Sequence, residues 1–305
     1  MKDNKKEMFT SVHINWYPGH MTKTKRQIIE DLKLIDVVVE ILDARMPISS
    51  RNPDIEQYVK NKDKLLLLNK SDLADNVENI NWINYFNSNG IEAILINSNT
   101  GEGIKQAIKK IEAIYSVNQT KFQAKGRVGK AIRVMVLGIP NVGKSSFINR
   151  VSNKNSAKVG NRPGVTRQKQ WIRINENIEL LDTPGVLWPK FENSETALNL
   201  AYTGTIKDDV LEIIEIGFNL IKFLVENYLD KLAERYKLNN EEIKDILSNE
   251  ELQENERILE IMYLVGKKRG TIASGGNIDE EKTARLILDD FRNGKIGRIT
   301  LEKVN

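Results

Sequence analysis

Cysteine is absent from the 305-residue sequence, so the chain can form neither a disulfide nor a zinc site with thiolate ligands. Long apolar runs are absent as well, and none of the runs present could cross a bilayer. Residues 1–7 are rich in lysine and lead into no apolar core like that of a signal peptide. We therefore expect a protein of the reducing cytoplasm that has no membrane partner.

The sequence also has little excess charge and few histidines. Its 46 basic and 42 acidic residues leave a net charge of +4, which permits a nucleic-acid partner without requiring one. His13 and His20 are the two histidines. The length exceeds that of most single domains, so we expect two domains with separate cores.

A phosphate-binding loop is the clearest motif that the sequence does contain. Four residues separate Gly138 from Gly143, and the loop lies between a predicted strand over 132–137 and a predicted helix. Main-chain N–H groups of such a loop surround the phosphates of a nucleotide at the positive end of the helix. Lys144 is expected to reach the β- and γ-phosphates, and Ser145 to ligate Mg²⁺. The residues expected to contact the nucleotide here are Asn141, Val142, Gly143, Lys144, Ser145 and Ser146.

The tetrapeptide Asn69-Lys70-Ser71-Asp72 indicates which base is bound. It directly follows the apolar run 65–68, which is predicted to be a buried strand. The Asp72 carboxylate can accept two parallel hydrogen bonds from N1–H and N2–H₂ of guanine, whereas adenine offers no such pair of donors. We expect the stem of Lys70 to lie along the base and Asn69 to connect this loop to the phosphate-binding loop.

A third predicted strand, 93–96, ends at Asn97 and Ser98, whose polar groups could contact the O6 edge of the base. An ordinary polar turn after a strand explains these two residues equally well. A helix is predicted over 104–115. Residues 116–130 are polar, basic and glycine-containing, as is typical of a connector.

Two segments after the phosphate-binding loop could sense the γ-phosphate. Residues 155–168 contain proline and glycine, which disfavour regular structure, and the Thr166 hydroxyl could complete the Mg²⁺ shell. Asp182 and Gly185 follow a predicted hairpin over 170–181. Asp182 is expected to hold Mg²⁺ through water, and the Gly185 N–H to donate to the γ-phosphate. Hydrolysis would then release Gly185 and the segment after it.

The order of these motifs resembles that of the circularly permuted ribosome-biogenesis GTPases of the YlqF/RbgA type. In ordinary small GTPases the base-recognition motif comes last, whereas here it precedes the phosphate-binding loop. Three further segments match that family, namely Trp16-Tyr17-Pro18-Gly19-His20-Met21, Asp43-Ala44-Arg45-Met46-Pro47 and Gly185-Val186-Leu187-Trp188-Pro189-Lys190-Phe191.

The resemblance implies an α/β fold with two domains. Residues 1–190 would form a circularly permuted P-loop GTPase domain, with a mostly parallel sheet and helices on both faces. Within it, residues 1–21 would form an N-terminal arm that carries the catalytic loop. Residues 195–305 would form a smaller all-α domain that binds rRNA.

Catalytic roles also follow from the resemblance. Many GTPases orient the attacking water with a glutamine after the glycine of the metal-binding motif, but Val186 stands there and cannot do so. His20 lies in the segment that resembles the family's catalytic one, and we expect it to act on the water; it could also be an ordinary loop histidine. Asn141 resembles the asparagine that coordinates K⁺ in potassium-stimulated GTPases, although N-capping or bracing of the loop would explain it as well.

The second domain is predicted to be a helical bundle. Asp209 and Glu212 have the spacing of a capping box, one helix is predicted to end at Gly266, and another is predicted over 279–291. The basic residues 267–269 at a helix end are explained by the helix dipole as readily as by RNA. The family resemblance favours rRNA.

The function implied by the resemblance is that of a GTPase that joins a precursor of the large ribosomal subunit in its GTP form. It would contact rRNA and ribosomal proteins, promote a late maturation step and leave after ribosome-stimulated hydrolysis. Mg²⁺ would be its cofactor, with K⁺ if Asn141 binds it; we expect no DNA partner and a monomer off the ribosome. One alternative is a nucleotide-sensing RNA-binding module in which hydrolysis is incidental. Another is an RNA-modification-associated GTPase, against which the lack of cysteine and of a second cofactor motif counts.

Overall fold

The computed structural model describes residues 21–117, 131–152, 171–185, 187–188 and 193–304. They form two compact units. The first unit contains the described residues from 21 to 188 together with residues 300–304, and the second contains residues 193–299. The predicted N-terminal arm up to residue 20 and residues 118–130 of the predicted connector lie outside the described part of the chain.

A six-stranded sheet is the centre of the first unit. Its strands are β1 (Val37–Asp43), β2 (Asp63–Asn69), β3 (Ala93–Leu95), β4 (Ile132–Leu137), β5 (Trp171–Arg173) and β6 (Ile178–Asp182). Their order is β3-β2-β1-β4-β6-β5, and all neighbours are parallel except β5 and β6. The predicted mostly parallel sheet is confirmed, and so is the predicted hairpin at its edge.

Helices accompany the strands of this unit along the chain. In its described residues they are α1 (Met21–Leu32), α2 (Pro53–Val59), α3 (Asn76–Ser88), α4 (Ile104–Val117) and α5 (Lys144–Val151). Every residue of β1 is buried, as is typical of a central parallel strand with both faces covered. Trp82 and Phe86 of α3 pack on Leu42, Leu66 and Leu68, so this helix covers one face of the sheet.

The parallel pairing of the strands brings the loops after β1, β2, β4 and β6 to one edge of the sheet. Asp43 at the end of β1 lies opposite Asn69 at the end of β2, and Val136 of β4 lies opposite Asp182 of β6. The central pair, β1 and β4, is joined in parallel although a long stretch of chain separates the two strands. Ligands of such sheets bind beyond the carboxyl ends of the strands, where the order of threading does not affect the site.

The second unit is helical, as predicted. Its helices, in the described residues, are α6 (Ser194–Tyr202), α7 (Ile213–Asn227), α8 (Leu229–Tyr236), α9 (Asn240–Ser248), α10 (Glu254–Arg269) and α11 (Glu280–Arg292). The apolar face of α7 is completely buried at Leu220, Ile221 and Leu224 and forms the centre of this unit. None of the helices in the described part of the chain combines the length and the hydropathy that a membrane span needs.

The predicted capping box at Asp209 and Glu212 is wrong. Asp208–Val210 form a separate 3₁₀ turn, and α7 begins only at Ile213, with no side-chain cap from Glu212. The carboxylate of Asp208 instead accepts two hydrogen bonds from Arg292, of 2.7 and 2.9 Å. Asp208 therefore forms a tertiary ion pair with α11.

The predicted end of a helix at Gly266 is also wrong. α10 continues to Arg269 and ends at Gly270, which has the left-handed φ of 66° that glycine adopts readily. Gly266 has a different role, because a Cβ at this position would lie 2.7 Å from Ile278 and 2.8 Å from Thr283. Its missing side chain allows close packing within the second unit.

Candidate nucleotide site

The phosphate-binding loop joins β4 to α5, and two of its glycines are required by their surroundings. A Cβ on Gly138 would lie 2.5 Å from the carbonyl oxygen of Ile41 in β1. Gly143 has a left-handed φ of 98°, and a Cβ there would collide with the side-chain amide of Asn69. Both glycines therefore let the loop lie directly against β1 and the base-recognition loop.

Lys144, the first residue of α5, is held inside the loop. Its side chain is buried, with 7% exposed, and its Nζ donates a 2.8 Å hydrogen bond to the carbonyl oxygen of Ile139. Burial lowers the pKa of Lys144 to about 8, against the opposing effect of Asp182. An ammonium that is short of compensating negative charge suits a site that binds phosphate.

Asn69 links the base-recognition loop to two other loops. Its Nδ2 donates to the carbonyl oxygen of Val142 over 2.7 Å, and its Oδ1 accepts from the backbone N–H of Ser98 over 3.0 Å. One buried side chain therefore fixes the phosphate-binding loop and the loop after β3 relative to β2. The predicted connection between Asn69 and the phosphate-binding loop is present.

Lys70 has a partner that the sequence did not indicate. Its Nζ lies 2.9 Å from Oδ2 of Asp43, which is buried at the end of β1. Lys70 also adopts a left-handed φ of 60°, which is uncommon for a residue with a side chain. The turn that follows is closed by a 2.9 Å hydrogen bond from the N–H of Leu73 to the carbonyl oxygen of Lys70, and Asp72 is half-buried within it.

Asn97 and Ser98 are both buried after β3, but their side chains are used differently. Oδ1 of Asn97 accepts from the N–H groups of Asn99 and Thr100, over 2.9 and 3.1 Å, so this side chain closes a local turn. Oγ of Ser98 is buried and has no hydrogen-bond partner among the described residues. A ligand that contacts this loop would satisfy the Ser98 hydroxyl.

Arg150, in the last turn of α5, is a site residue that the sequence reasoning missed. Its Nε donates to the carbonyl oxygen of Ser98 over 3.1 Å, and its Nη2 donates to that of Asn99. It therefore ties the far end of α5 to the loop after β3. No local pattern indicates that Arg150 is a site residue, because its hydrogen bond to Ser98 spans 52 residues.

The loop after β6 lies against the phosphate-binding loop. Thr183 Oγ1 donates to the carbonyl oxygen of Val136 over 2.5 Å, and a Cβ on Gly185 would lie 2.8 Å from both Nζ of Lys144 and N of Pro140. Burial raises the pKa of Asp182, with Lys144 acting in the opposite direction. The predicted γ-phosphate sensor and the predicted phosphate-binding lysine are thus neighbours.

Several predicted site residues remain predictions. His20, Thr166 and Val186 lie outside the described residues. Asn141 is exposed and has a left-handed φ of 62°. Gly143 occupies the N-cap position of α5, so Asn141 does not cap this helix; bracing and K⁺ coordination both stay open for it.

Comparisons with known proteins agree with this geometry. Residues 133–263 match the family model described as 50S ribosome-binding GTPase. Ribosome biogenesis GTPase A of Bacillus cereus is 45% identical over 289 residues, which cover 95% of this chain and 93% of that protein. The protein of the same name from Bacillus licheniformis is 44% identical over 95% of this chain and 98% of its own.

A solved structure of GNP-bound YlqF from T. maritima superposes with a TM-score of 0.61 at 26% identity and covers 92% of this chain and 98% of its own. The circularly permuted order of motifs described above fits the YlqF family. The chain thus belongs to the ribosome biogenesis GTPase A family, the permuted P-loop GTPases of the YlqF type, and is a GTPase.

Proposed function

We propose that this GTPase is an assembly factor of the large ribosomal subunit. It joins a subunit precursor in its GTP form, promotes a late maturation step and leaves after hydrolysis that the particle stimulates. The names of its relatives and of the matching family support a ribosomal partner. Such a partner implies a cytoplasmic location, and we propose a monomer when the protein is off the ribosome.

The observation that carries the nucleotide part of this proposal is the convergence of loops on Asn69. The loop with Asp72 and the loop with Lys144 are distant in sequence, yet Asn69 joins the first to Val142 of the second over 2.7 Å. The unsatisfied hydroxyl of Ser98 supports a ligand at the base end, and the buried ammonium of Lys144 supports an anion at the phosphate end. A guanine nucleotide offers both.

Mg²⁺ fits the oxygen ligands that this site offers. Ser145 supplies a hydroxyl in the first turn of α5, Asp182 a carboxylate at the end of β6, and Thr166 the hydroxyl that would complete the shell. Hydroxyl and carboxylate oxygens are suitable ligands for this ion, which neutralises charge on the phosphates when bound. The remaining step, orientation of the attacking water, we assign to His20, and K⁺ coordination to Asn141.

Binding of rRNA by the second unit is supported by a basic groove of about 430 Å³ between α8, α10 and α11. Its cationic residues outnumber its acidic ones, and Lys282 and Arg285 are exposed. Cations grouped in this way neutralise phosphates of the RNA backbone. The residues that line the groove are Arg235, Arg269, Lys282, Arg285, Leu286, Asp289, Asp290 and Lys295.

Sedimentation with ribosomal particles tests the proposal. The protein should pellet with precursors of the large subunit in a non-hydrolysable GTP analogue and stay in the supernatant in GDP. Lys144→Ala, which removes the phosphate-binding ammonium, should abolish this difference. Equal pelleting in both nucleotides would contradict a GTP-dependent assembly factor.

The groove is tested by a charge reversal at Lys282 and Arg285 together. This double change should weaken pelleting and reduce its dependence on salt, since fewer phosphates are neutralised. Lys244→Glu, an exposed change on α9 of the same unit, is the matched control. An equal effect of control and double variant would contradict the assignment of rRNA to this groove.

A further inference from the structure

Residues 300–304 follow the helical unit in sequence but pack against the first unit; we call them the return segment. The N–H of Leu301 donates to the carbonyl oxygen of Arg45 over 2.7 Å. On the side of α3, the indole N–H of Trp82 donates to the carbonyl oxygen of Glu302 over 2.9 Å. Leu301 is 6% exposed, and Val304 packs on the apolar cluster under α3. The return segment is therefore an integral part of the GTPase unit.

The carboxylate of Glu302 organises the loop after β1, residues 43–50. Oε2 accepts from the N–H of Ile48 over 2.6 Å, and Oε1 accepts from the N–H of Ser49 over 2.8 Å and from the Ser49 hydroxyl. Hydrogen bonds to an ionised carboxylate are stronger than those between neutral groups. Glu302 thus fixes a loop that lies more than 250 residues earlier in the sequence, its bond to Ser49 spanning 253 residues.

Asp43, the first residue of this loop, contacts the base-recognition loop. The guanidinium of Arg45 donates two hydrogen bonds to the Asp43 carboxylate, of 3.0 and 2.8 Å, and its backbone N–H donates a third, of 3.1 Å. Lys70 donates a fourth, of 2.9 Å. Burial alone would raise the pKa of Asp43, but Arg45 and Lys70 outweigh it and hold this pKa well below its usual range. The N–H of Ala44 also donates to the carbonyl oxygen of Asn69 over 2.8 Å.

We propose that Glu302 and Asp43 are positioning residues for guanine recognition. Glu302 fixes the loop 43–50, Asp43 holds Lys70 in its left-handed conformation, and this conformation presents Asp72 to the base two residues later. The inference rests on the assignment of Asp72 to the base. It adds that base recognition depends on the return segment, which comes after the whole helical unit in the chain.

Inosine nucleotides provide the readout that a merely structural role would not change. IDP retains N1–H of the base but lacks the 2-amino group, so a well-placed Asp72 should discriminate between GDP and IDP. Glu302→Gln keeps the size of the side chain but loses its charge and one acceptor. We expect GDP affinity to fall about tenfold, as for the loss of a charge-assisted contact, while IDP affinity falls less, so that the preference for GDP shrinks.

The experiment measures GDP and IDP affinities of the full chain by calorimetric titration, together with the midpoint of thermal unfolding. Glu176→Gln, an exposed change in the turn between β5 and β6, is the matched control and should leave both affinities unchanged. Asp43→Asn is the second variant and should also reduce the preference for GDP. An unchanged affinity in Glu302→Gln, or equal losses for GDP and IDP, would overturn the proposal.

Asp72→Asn separates failure of this inference from failure of the base assignment. If this variant still prefers GDP over IDP as the unmodified protein does, the base is recognised elsewhere, and both assignments are overturned. If Asp72→Asn loses the preference while Glu302→Gln keeps it, only the positioning role is overturned. Loss of the preference in both variants supports the inference.

Discussion

The side-chain amide of Asn69 donates a hydrogen bond to the carbonyl oxygen of Val142 over 2.7 Å, although 73 residues separate the two. This contact joins the end of β2 to the phosphate-binding loop. The order of strands in the sheet makes it possible, because β2, β1 and β4 run parallel and their carboxyl ends lie at the same edge. A site for base and phosphate therefore persists although the chain is threaded in permuted order.

Asn69→Ala should weaken GDP binding by about tenfold or more. The change removes the bonds to Val142 and Ser98 together, and each is worth about 1 kcal/mol in the folded site. Calorimetric titration with GDP measures the loss. Asn61→Ala, an exposed change just before β2, is the control. Equal affinity of Asn69→Ala and the unmodified protein would show that the loops do not need this brace.

Gly185→Ala should impair GTP binding and hydrolysis more than GDP binding. The new methyl group would lie 2.8 Å from N of Pro140, a backbone atom that cannot move aside easily, and 2.8 Å from Nζ of Lys144. We expect at least tenfold weaker binding of a GTP analogue, with a smaller effect on GDP. Gly90→Ala controls for a general loss of stability, because its φ of 72° disfavours alanine although a Cβ there would meet nothing within 4 Å, and it should leave both nucleotide affinities unchanged. A loss of equal size for the two nucleotides would argue against a γ-phosphate sensor at Gly185.

Glu40→Gln should change how stability depends on pH. Glu40 is 1% exposed in β1, and burial raises its pKa to about 7, with Arg51 and Lys64 opposing this effect and Glu56 adding to it. The folded state then binds the proton more tightly than the unfolded state, so stability falls as pH rises from about 4.5 through about 7 and levels off above. The total loss of unfolding free energy over this pH range is on the order of 3 kcal/mol.

Urea unfolding between pH 5 and pH 8 measures this dependence. The glutamine variant has no carboxylate to ionise at position 40, so its stability relative to the unmodified protein should increase toward pH 8. Glu176→Gln, which is exposed, should follow the unmodified protein at every pH. Parallel pH profiles for Glu40→Gln and the unmodified protein would contradict the raised pKa.

His20→Ala should keep GTP affinity and lose turnover that ribosomal particles stimulate. The reason is that His20 is assigned to the attacking water and not to nucleotide binding. His13→Ala, a change at the other histidine of the sequence, is the control and should retain stimulated turnover. Stimulated turnover is measured as phosphate release with and without particles. Retained stimulation in His20→Ala would refute the assignment.

Hydrolysis should be faster in KCl than in NaCl if Asn141 coordinates K⁺. Asn141→Ala should then remove most of this difference, while a role in bracing the loop would reduce the rate equally in both salts. Phosphate release at matched ionic strength distinguishes the two roles. Equal rates in both salts for the unmodified protein would exclude the potassium role.

Local patterns predicted much of the fold and of the nucleotide loops. The run 65–68 and the spacing of Gly138 and Gly143 carry their information within a few residues, so the buried strand and the strand–loop–helix were predictable. The helix start near Asp209 and the helix end at Gly266 were predicted wrongly. Asp208 pairs with Arg292, which is 84 residues away, whereas α10 continues past Gly266 because Gly270, four residues later, is the glycine that adopts the left-handed conformation.

The residues that brace the site could not be predicted because their partners are distant in sequence. Asp43 meets Lys70 across 27 residues, Arg150 meets Ser98 across 52, and Glu302 meets Ser49 across 253. Each is a charged residue in an unremarkable local context. Only the register of the sheet and the path of the return segment bring these pairs together.

The position of the return segment has a consequence for how the protein is made. During translation β1, β2 and β3 emerge first, and the edge of β1 that pairs with β4 stays open until residue 137 has left the exit tunnel. Leu301 and Glu302 emerge only after the entire helical unit 193–299. The open edge of β1 therefore closes early in synthesis, whereas the loop that Glu302 fixes beside the proposed guanine site lacks this support until the helical unit has been made.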